Sequence, residues 1–288
     1  MASEKAAVVD RGELWKRAAS AAVLAPVALA AVFFGGLPFA ALVALVAAIA
    51  FWEWTAMTEA GEPLWLRAGA LVCLLAGLLA LSSFTLTDWT IGLIAIPALL
   101  ALAAGLWWRM PQWVGFGLVY VAAPAAAFII LRQAEPFGLA AIVFILVVVW
   151  TTDIAAYFGG RHFGGPKLWP RVSPRKTWSG ALSGLAAAIL AGGATIGIAR
   201  AGSPWAGLIL AAPLSIAAQA GDLFESAVKR RFGVKDSGHI IPGHGGVLDR
   251  VDGLFAAAAL GWLIAGLGIG GDVLSLPRDI VALAGGRP

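Results

Sequence analysis

Charge is scarce in this chain. Only 12% of its 288 residues are Asp, Glu, Lys or Arg, against 60% hydrophobic residues. A soluble domain carries about a quarter charged residues, so a single water-facing globule is excluded, and the apolar runs reach membrane-spanning length. Cysteine is nearly missing too. The lone Cys73 excludes an intrachain disulfide and gives no sign of an oxidising compartment. Set in an apolar run, it reads as a small hydrophobe against lipid or a neighbouring helix. No cysteine accompanies His239 and His244, and their neighbours are carboxylates, which argues against zinc. Inverted repeats with broken helices in both halves, the mark of many transporters, are also missing; the polar features crowd into one half.

What is present is a succession of apolar runs. A window of roughly 19 residues marks spans at 18–35, 37–53, 66–83, 89–108, 112–131, 136–158, 179–200, 204–224 and 253–272. The expected fold is all-α, a polytopic membrane protein of about nine transmembrane helices with its N-terminus in the cytoplasm. Segment 1–17 is then cytoplasmic, 18–131 holds the N-terminal helices, and 132–288 is a catalytic membrane region with cytoplasmic loops at 159–178 and 225–252. The first two spans turn at Gly35-Gly36-Leu37-Pro38, a breaker cluster suited to a tight hairpin. The first run exceeds the 7–15 residues of a signal-peptide core and leads straight into another hydrophobic segment, so it reads as a span. Lys and Arg support the orientation, because they collect on the cytoplasmic side. With nine spans, that side receives sixteen of the twenty cations, and only Arg132, Arg200, Arg278 and Arg287 fall opposite.

The two long loops look unlike packing. In "RHFGGPKLWPRVSPRKTWSG" cations alternate with Gly, Pro and Ser, whose turns aim backbone N–H groups and side chains at one oxyanion. Arg11, Lys16, Arg17, Arg67 and Arg109 fit the plainer role of headgroup attraction. Asp153 and Asp222 interrupt or end hydrophobic runs, where a carboxylate is expensive and is usually retained for function. Glu225 and Lys229 have the i, i+4 spacing of an ordinary helical ion pair. Asp249 and Asp252 share a face if the last span is already helical there. Two carboxylates without a counter-ion repel, so a divalent cation suits them.

"KDSGHIIPGHGGVLDRVDG", residues 235–253, concentrates this chemistry. Gly243, Gly245 and Gly246 let backbone approach a ligand or take positive φ. Lys235, His244 and Arg250 supply donors, while Asp236, Asp249 and Asp252 supply hard oxygens. Cations for phosphate beside carboxylates for metal suggest metal-assisted phosphoryl or nucleotidyl transfer, with magnesium as the metal.

Residues 226–252, "SAVKRRFGVKDSGHIIPGHGGVLDRVD", resemble the signature of the phosphatidate cytidylyltransferases, or CDP-diacylglycerol synthases. Ser226, Lys229-Arg230, Lys235-Asp236, Pro242 to Gly246, Asp249-Arg250 and Asp252 fill its fixed positions. The upstream "DIAAYFGGRHFGGPKLWPRVSPRKTWSG" is similar to the family's second block; Ser179 departs from it, where relatives often carry an acid or amide. The resemblance implies transfer of CMP from CTP to phosphatidic acid, giving CDP-diacylglycerol and pyrophosphate for phospholipid biosynthesis. It implies a metal site on Asp222 and Asp249 holding Mg2+, with a potassium ion nearby. Lys229, Arg230, Asp236, His244, Arg250 and Asp252 join those aspartates as catalytic candidates. Asp153, Tyr157, Lys167, Ser173, Arg175, Lys176, Thr177, Lys235, Gly245 and Gly246 are substrate-binding candidates. The implied setting is a multi-pass homodimer in the cell inner membrane, its active site facing the cytoplasm, with the bilayer and no nucleic acid as partner. CDP-alcohol phosphotransferases keep an Asp-rich motif of different order. A CTP-dependent polyprenol or dolichol kinase, sharing nucleotide and metal, stands as the second reading.

Overall fold

The computed structural model describes residues 22, 25–58, 63–83, 112–240 and 245–267. Eight helices run through them. They are α1 (Ala25–Phe34), α2 (Gly36–Met57), α3 (Leu64–Ser83), α4 (Gln112–Gln133), α5 (Gly138–Phe163), α6 (Trp178–Ala199), α7 (Pro204–Arg231) and α8 (Leu248–Gly266). Six of them, α2 to α7, are long and apolar enough to cross a membrane. Helix α8 is of spanning length, but its first turn carries Asp249 and Arg250, with Asp252 just beyond. The expected spans at 112–131, 136–158 and 179–200 match α4, α5 and α6 to within a turn or so. The expected span at 89–108 lies outside the described residues, as do most of 1–24 and the end of 253–272.

Hydropathy misjudged the helix ends next to the loops. Helix α5 continues from the expected end at 158 to Phe163, α7 continues from 224 to Arg231, and α8 begins at Leu248 rather than 253. Backbone hydrogen bonding continues wherever side chains leave a charged turn in water, so a helix outlasts its apolar stripe. The loop expected at 225–252 is therefore confined to 232–247, and Lys229, Arg230, Asp249 and Asp252 are helical residues.

The all-α expectation holds, with one short addition. Lys167–Trp169 (β1) and Ser173–Thr177 (β2) pair as an antiparallel hairpin, with Lys167 opposite Thr177 and Trp169 opposite Ser173. Pro170 sits after Trp169, and Val172 N–H closes the turn on the Trp169 carbonyl at 3.1 Å, the bond of a β-turn with proline in its favoured position. Gly164 and Gly165, with φ of +59° and +95°, end α5 ahead of it.

The helix ends sort into two groups. Trp54, near the end of α2, donates its ring N–H to the Trp113 carbonyl at the start of α4, and Trp113 packs edge-on against Phe232 after α7. Arg231 stacks over the Trp113 ring. At the far end Arg132 of α4 donates to the Val32 and Phe33 carbonyls of α1, and Gln133 donates to Leu81 of α3. Gly35, with φ of +66°, separates α1 from α2 at that end, where the glycine-proline cluster predicts a hairpin. Between the ends Thr152 of α5 donates to Ser215 of α7 at 2.8 Å, and Gln219 of α7 donates to Ala181 of α6. These hydrogen bonds hold buried hydroxyls where no water competes. Helices α5 and α6 approach backbone to backbone: a Cβ on Gly184 would fall 2.7 Å from the Thr152 carbonyl, and one on Gly180 2.7 Å from that of Ala156.

Candidate active site

Helix α7 presents Asp222, Glu225, Ser226 and Lys229 at three- and four-residue spacings, one face of the helix. The Lys229 ammonium lies 2.7 Å from Glu225 Oε2 and 2.6 Å from Asp249 Oδ1. The first contact is the expected i, i+4 pair; the second joins α7 to α8. Asp249 is surrounded by donors, since its Oδ2 also accepts from the Ser237 and Gly246 amides at 3.1 Å each. Asp249 precedes the apolar part of α8. Burial opposes its ionisation, but the bonds and charge of Lys229 and the Ser237 N–H outweigh that effect and hold its carboxyl below the usual carboxylate range.

Nearer the hairpin, Lys176 of β2 reaches Asp222 Oδ2 at 2.5 Å, and Ser226 donates to Asp222 Oδ1. Asp153 of α5 lies within the fields of both Asp222 and Lys176. Asp252 of α8 feels Asp222, Glu225 and Lys229, and its carbonyl packs on Gly221. Five carboxylates, on α5, α7 and α8, thus share one region with the ammoniums of Lys176 and Lys229. Glu225 Oε1 is buried and has no hydrogen-bond partner among the described residues. Thr177 caps α6, accepting from the Gly180 amide at 3.1 Å, and this fixes the helix start directly after Lys176.

The remaining candidates stand around this centre. Arg230 donates to the Val172 and Val234 carbonyls, tying the end of α7 to the hairpin. Ser173 is half-buried and Arg175 exposed on β2, with Lys167 exposed on β1. Tyr157, 60% exposed, accepts from Arg161 on its own helix. Lys235 and Asp236 are exposed on the loop, as is Arg250 on α8. Gly245 has φ of +81° and Gly246 is buried. His244 and Gly243 lie outside the described residues. Ser179, the departure from the second block, donates to the Gly164 carbonyl and so braces the end of α5 against the start of α6.

Glu53 went unnoticed in the sequence. It lies at the loop end of α2, 2% exposed, and accepts from Ser237 Oγ, Val247 N and Leu248 N. The signal was available: a lone acid in the apolar run "AIAFWEWTAM" is as costly as Asp153 or Asp222.

Residues 15–267 match the model of the cytidylyltransferase family. The chain belongs to this family. The match takes in α1 to α8, so the N-terminal helices belong to the family pattern as much as the two polar blocks do. Among similar proteins of known name, the phosphatidate cytidylyltransferase of Brucella abortus biovar 1 is 43% identical over 264 residues, 91% of this chain and 97% of the relative. That of Pseudomonas aeruginosa is 38% identical over 270 residues, covering 86% and 97%. That of Bacillus subtilis is 42% identical over 149 residues, covering 51% and 55%. Within a cytidylyltransferase the Arg230–Val172 hydrogen bond brings together the two sequence blocks on which the resemblance rests, and Lys176 of the upstream block meets Asp222 four residues before the downstream one.

Proposed function

We propose that this cytidylyltransferase makes CDP-diacylglycerol from CTP and phosphatidic acid at a membrane surface. The observation that carries this reading is the juxtaposition of Lys176, from the phosphate-type "SPRKT" strand, with Asp222 and its neighbouring carboxylates on apolar helices. A water-soluble triphosphate approaches from the hairpin side, and a lipid phosphate arrives along the helices.

The phosphatidate oxygen is already anionic, so it attacks the α-phosphorus of CTP with little need for a general base. A phosphorus–oxygen bond forms to the lipid phosphate, the bond to the β-phosphate breaks, and pyrophosphate leaves with the electron pair. The residues' work is positioning and charge neutralisation. Lys176, Arg175 and the Ser173 and Thr177 hydroxyls are assigned to the CTP phosphates, with Lys167, Lys235 and the amides of Gly245 and Gly246 around them. Asp153 and Tyr157 line the substrate approach, and Lys229, Arg230, Asp236, His244, Arg250 and Asp252 complete the polar centre.

A divalent cation fits this donor set. Carboxylates outnumber the lysines around them, and the buried Glu225 Oε1 has no hydrogen-bond partner among the described residues. Among the described residues no three acidic, histidine or cysteine side chains form a ready-made metal cage. Magnesium is usually held by one or two carboxylates together with substrate phosphates, and Asp222 and Asp249 are assigned that role. Lys229 and the Ser237 and Gly246 amides already donate to Asp249, so its carboxylate would be shared between them and a bound ion. When bound, Mg2+ supplies neutralisation of the phosphate charge; a potassium ion is assigned to the same region by family resemblance.

The same reading places nine spans in the bacterial inner membrane, the N-terminus and both polar blocks in the cytoplasm, and two copies together as a homodimer. The clustering of Trp54, Trp113, Phe232 and the loop at one end supports a shared face. Incubating purified protein with phosphatidic acid and CTP labelled in the cytosine and in the γ-phosphate tests the reaction. Cytosine label in the lipid is expected; lipid carrying only the γ-phosphate would identify a kinase instead.

A further inference from the structure

Glu53 belongs to the N-terminal half, yet its hydrogen bonds go to the loop of the C-terminal signature, 184 to 195 residues along the chain. Its Oε1 accepts from Val247 N at 3.0 Å; its Oε2 accepts from Leu248 N at 2.8 Å and from Ser237 Oγ at 3.3 Å. Val247 and Leu248 open α8, and the residue before that helix brings no side-chain cap of its own. The orphan amides of a helix start need acceptors, and α2 supplies them from outside.

The loop is shaped to receive this carboxylate. A Cβ on Gly238 would fall 2.5 Å from Glu53 Oε1, and one on Gly246 would fall 2.9 Å from Oε2. Only glycine lets the backbone come so near. Asp249 gathers the same segments from the other side: the Ser237 amide goes to Asp249 and its hydroxyl to Glu53, while the Gly246 amide goes to Asp249 and the next two amides to Glu53. Two carboxylates from different halves of the protein thus bracket both ends of the loop, and the Asp249 end of the bracket also holds Lys229.

We propose that Glu53 is a positioning residue for nucleotidyl transfer: by clasping Ser237, Val247 and Leu248 it sets where Asp249 and Lys229 stand in the site. This deepens the proposed reaction and rests on it. Glu53 touches no reacting group; its effect passes through the loop. Helix α2 has a separate anchor in Trp54, which is fully buried among Trp113, Phe116 and Tyr120, so losing the clasp misplaces the loop without releasing the helix.

Steady-state kinetics on the full-length protein in mixed micelles of phosphatidic acid test this, with thermal unfolding recorded on the same samples. Glu53→Gln keeps the shape but turns an N–H donor toward another donor. It is expected to lower kcat per folded molecule about ten- to a hundredfold, with KM for phosphatidic acid within about twofold of the wild type. Glu53→Asp, which keeps both oxygens, is expected to recover part of the loss. Ser237→Ala removes one bond of the clasp and is expected to cost about three- to tenfold in kcat. The double variant Glu53→Gln with Ser237→Ala is expected to lose less than the product of the two, because both act on one contact. Wild-type kcat in folded Glu53→Gln, or losses that simply multiply, would overturn the proposal. If Glu53→Gln does not fold, Ser237→Ala decides the matter, unchanged kcat counting against it. A wild-type protein that makes no CDP-diacylglycerol overturns the underlying reaction instead, and that result is read before any variant is compared.

Discussion

Replacing Lys176 by Ala separates two roles that the sequence alone leaves entangled, phosphate ligand and headgroup anchor. The side chains of Lys176 and Asp222 are 30% and 36% exposed. An ion pair that wet contributes only about 0–1 kcal/mol to the fold. The hairpin keeps its backbone pairing, and Thr177 still caps α6, so the variant is expected to insert and to unfold near the wild-type temperature. Losing a charge-assisted hydrogen bond to a CTP phosphate costs about 1.5–3 kcal/mol, roughly ten- to a hundredfold in apparent affinity. The assay varies CTP at fixed phosphatidic acid. KM for CTP is expected to rise by that factor, and Lys176→Arg, which keeps the charge but not the compact ammonium, to fall between. An anchor at the lipid headgroups makes the opposite forecast, poorer insertion with unaltered kinetics. A normally inserted Lys176→Ala protein with wild-type dependence on CTP would refute the phosphate assignment.

Asp249→Asn is expected to reduce turnover by at least about a hundredfold while the far-ultraviolet circular dichroism stays helical, because a charge is lost at the most connected carboxylate; substantial activity at saturating magnesium would speak against its role. Lys229→Met leaves Glu225 and Asp249, 0% and 10% exposed, facing each other without their ammonium, and is expected to destabilise the protein by about 3–5 kcal/mol. An unchanged thermal midpoint in detergent would contradict that. Chelation with EDTA is expected to stop CDP-diacylglycerol formation and added Mg2+ to restore it. In a Cys73→Ser background, cysteines at Ser173 and Lys235 are expected to react with an impermeant thiol reagent only when the cytoplasmic face is open, and one at Ser203 only from outside. Labelling of 173 and 203 from one side would break the topology.

Motif chemistry and hydropathy carried far, but each has a physical horizon. Asp153 and Asp222 stand out because charges in apolar surroundings are costly, Lys176 and Asp249 because they lie in polar, glycine- and proline-rich segments, and the fold brings all four into one region. The i, i+4 spacing disclosed the Lys229–Glu225 pair, yet not the second bond of Lys229 to Asp249, because a contact across twenty residues depends on how two helices cross. Helix ends were misplaced where apolar pattern and backbone hydrogen bonding part company, as at Arg231 and Leu248. The hairpin at 167–177 was legible only as a turn-rich segment, since its strands are too short for an alternating pattern. Ser237 sits in a polar loop segment of the sequence, yet the fold buries it against Glu53, a contact that no local pattern discloses. Glu53 is legible as a costly acid in an apolar run, but its role is not, because its partners lie in the other half of the chain.

The close approach of α5 and α6 works as a spacer gauge for the site above it. Asp153 rides on α5 one residue beyond Thr152, whose carbonyl meets Gly184, while Lys176 is attached through Thr177 to the start of α6. The gap between those two side chains is therefore set in large part by main-chain contact at Gly180 and Gly184. One methyl group added at Gly184 wedges the two helices apart and carries Asp153 away from the hairpin, leaving every polar residue intact but out of step. Adjustment to substrates of different size is thereby denied to this pair of helices.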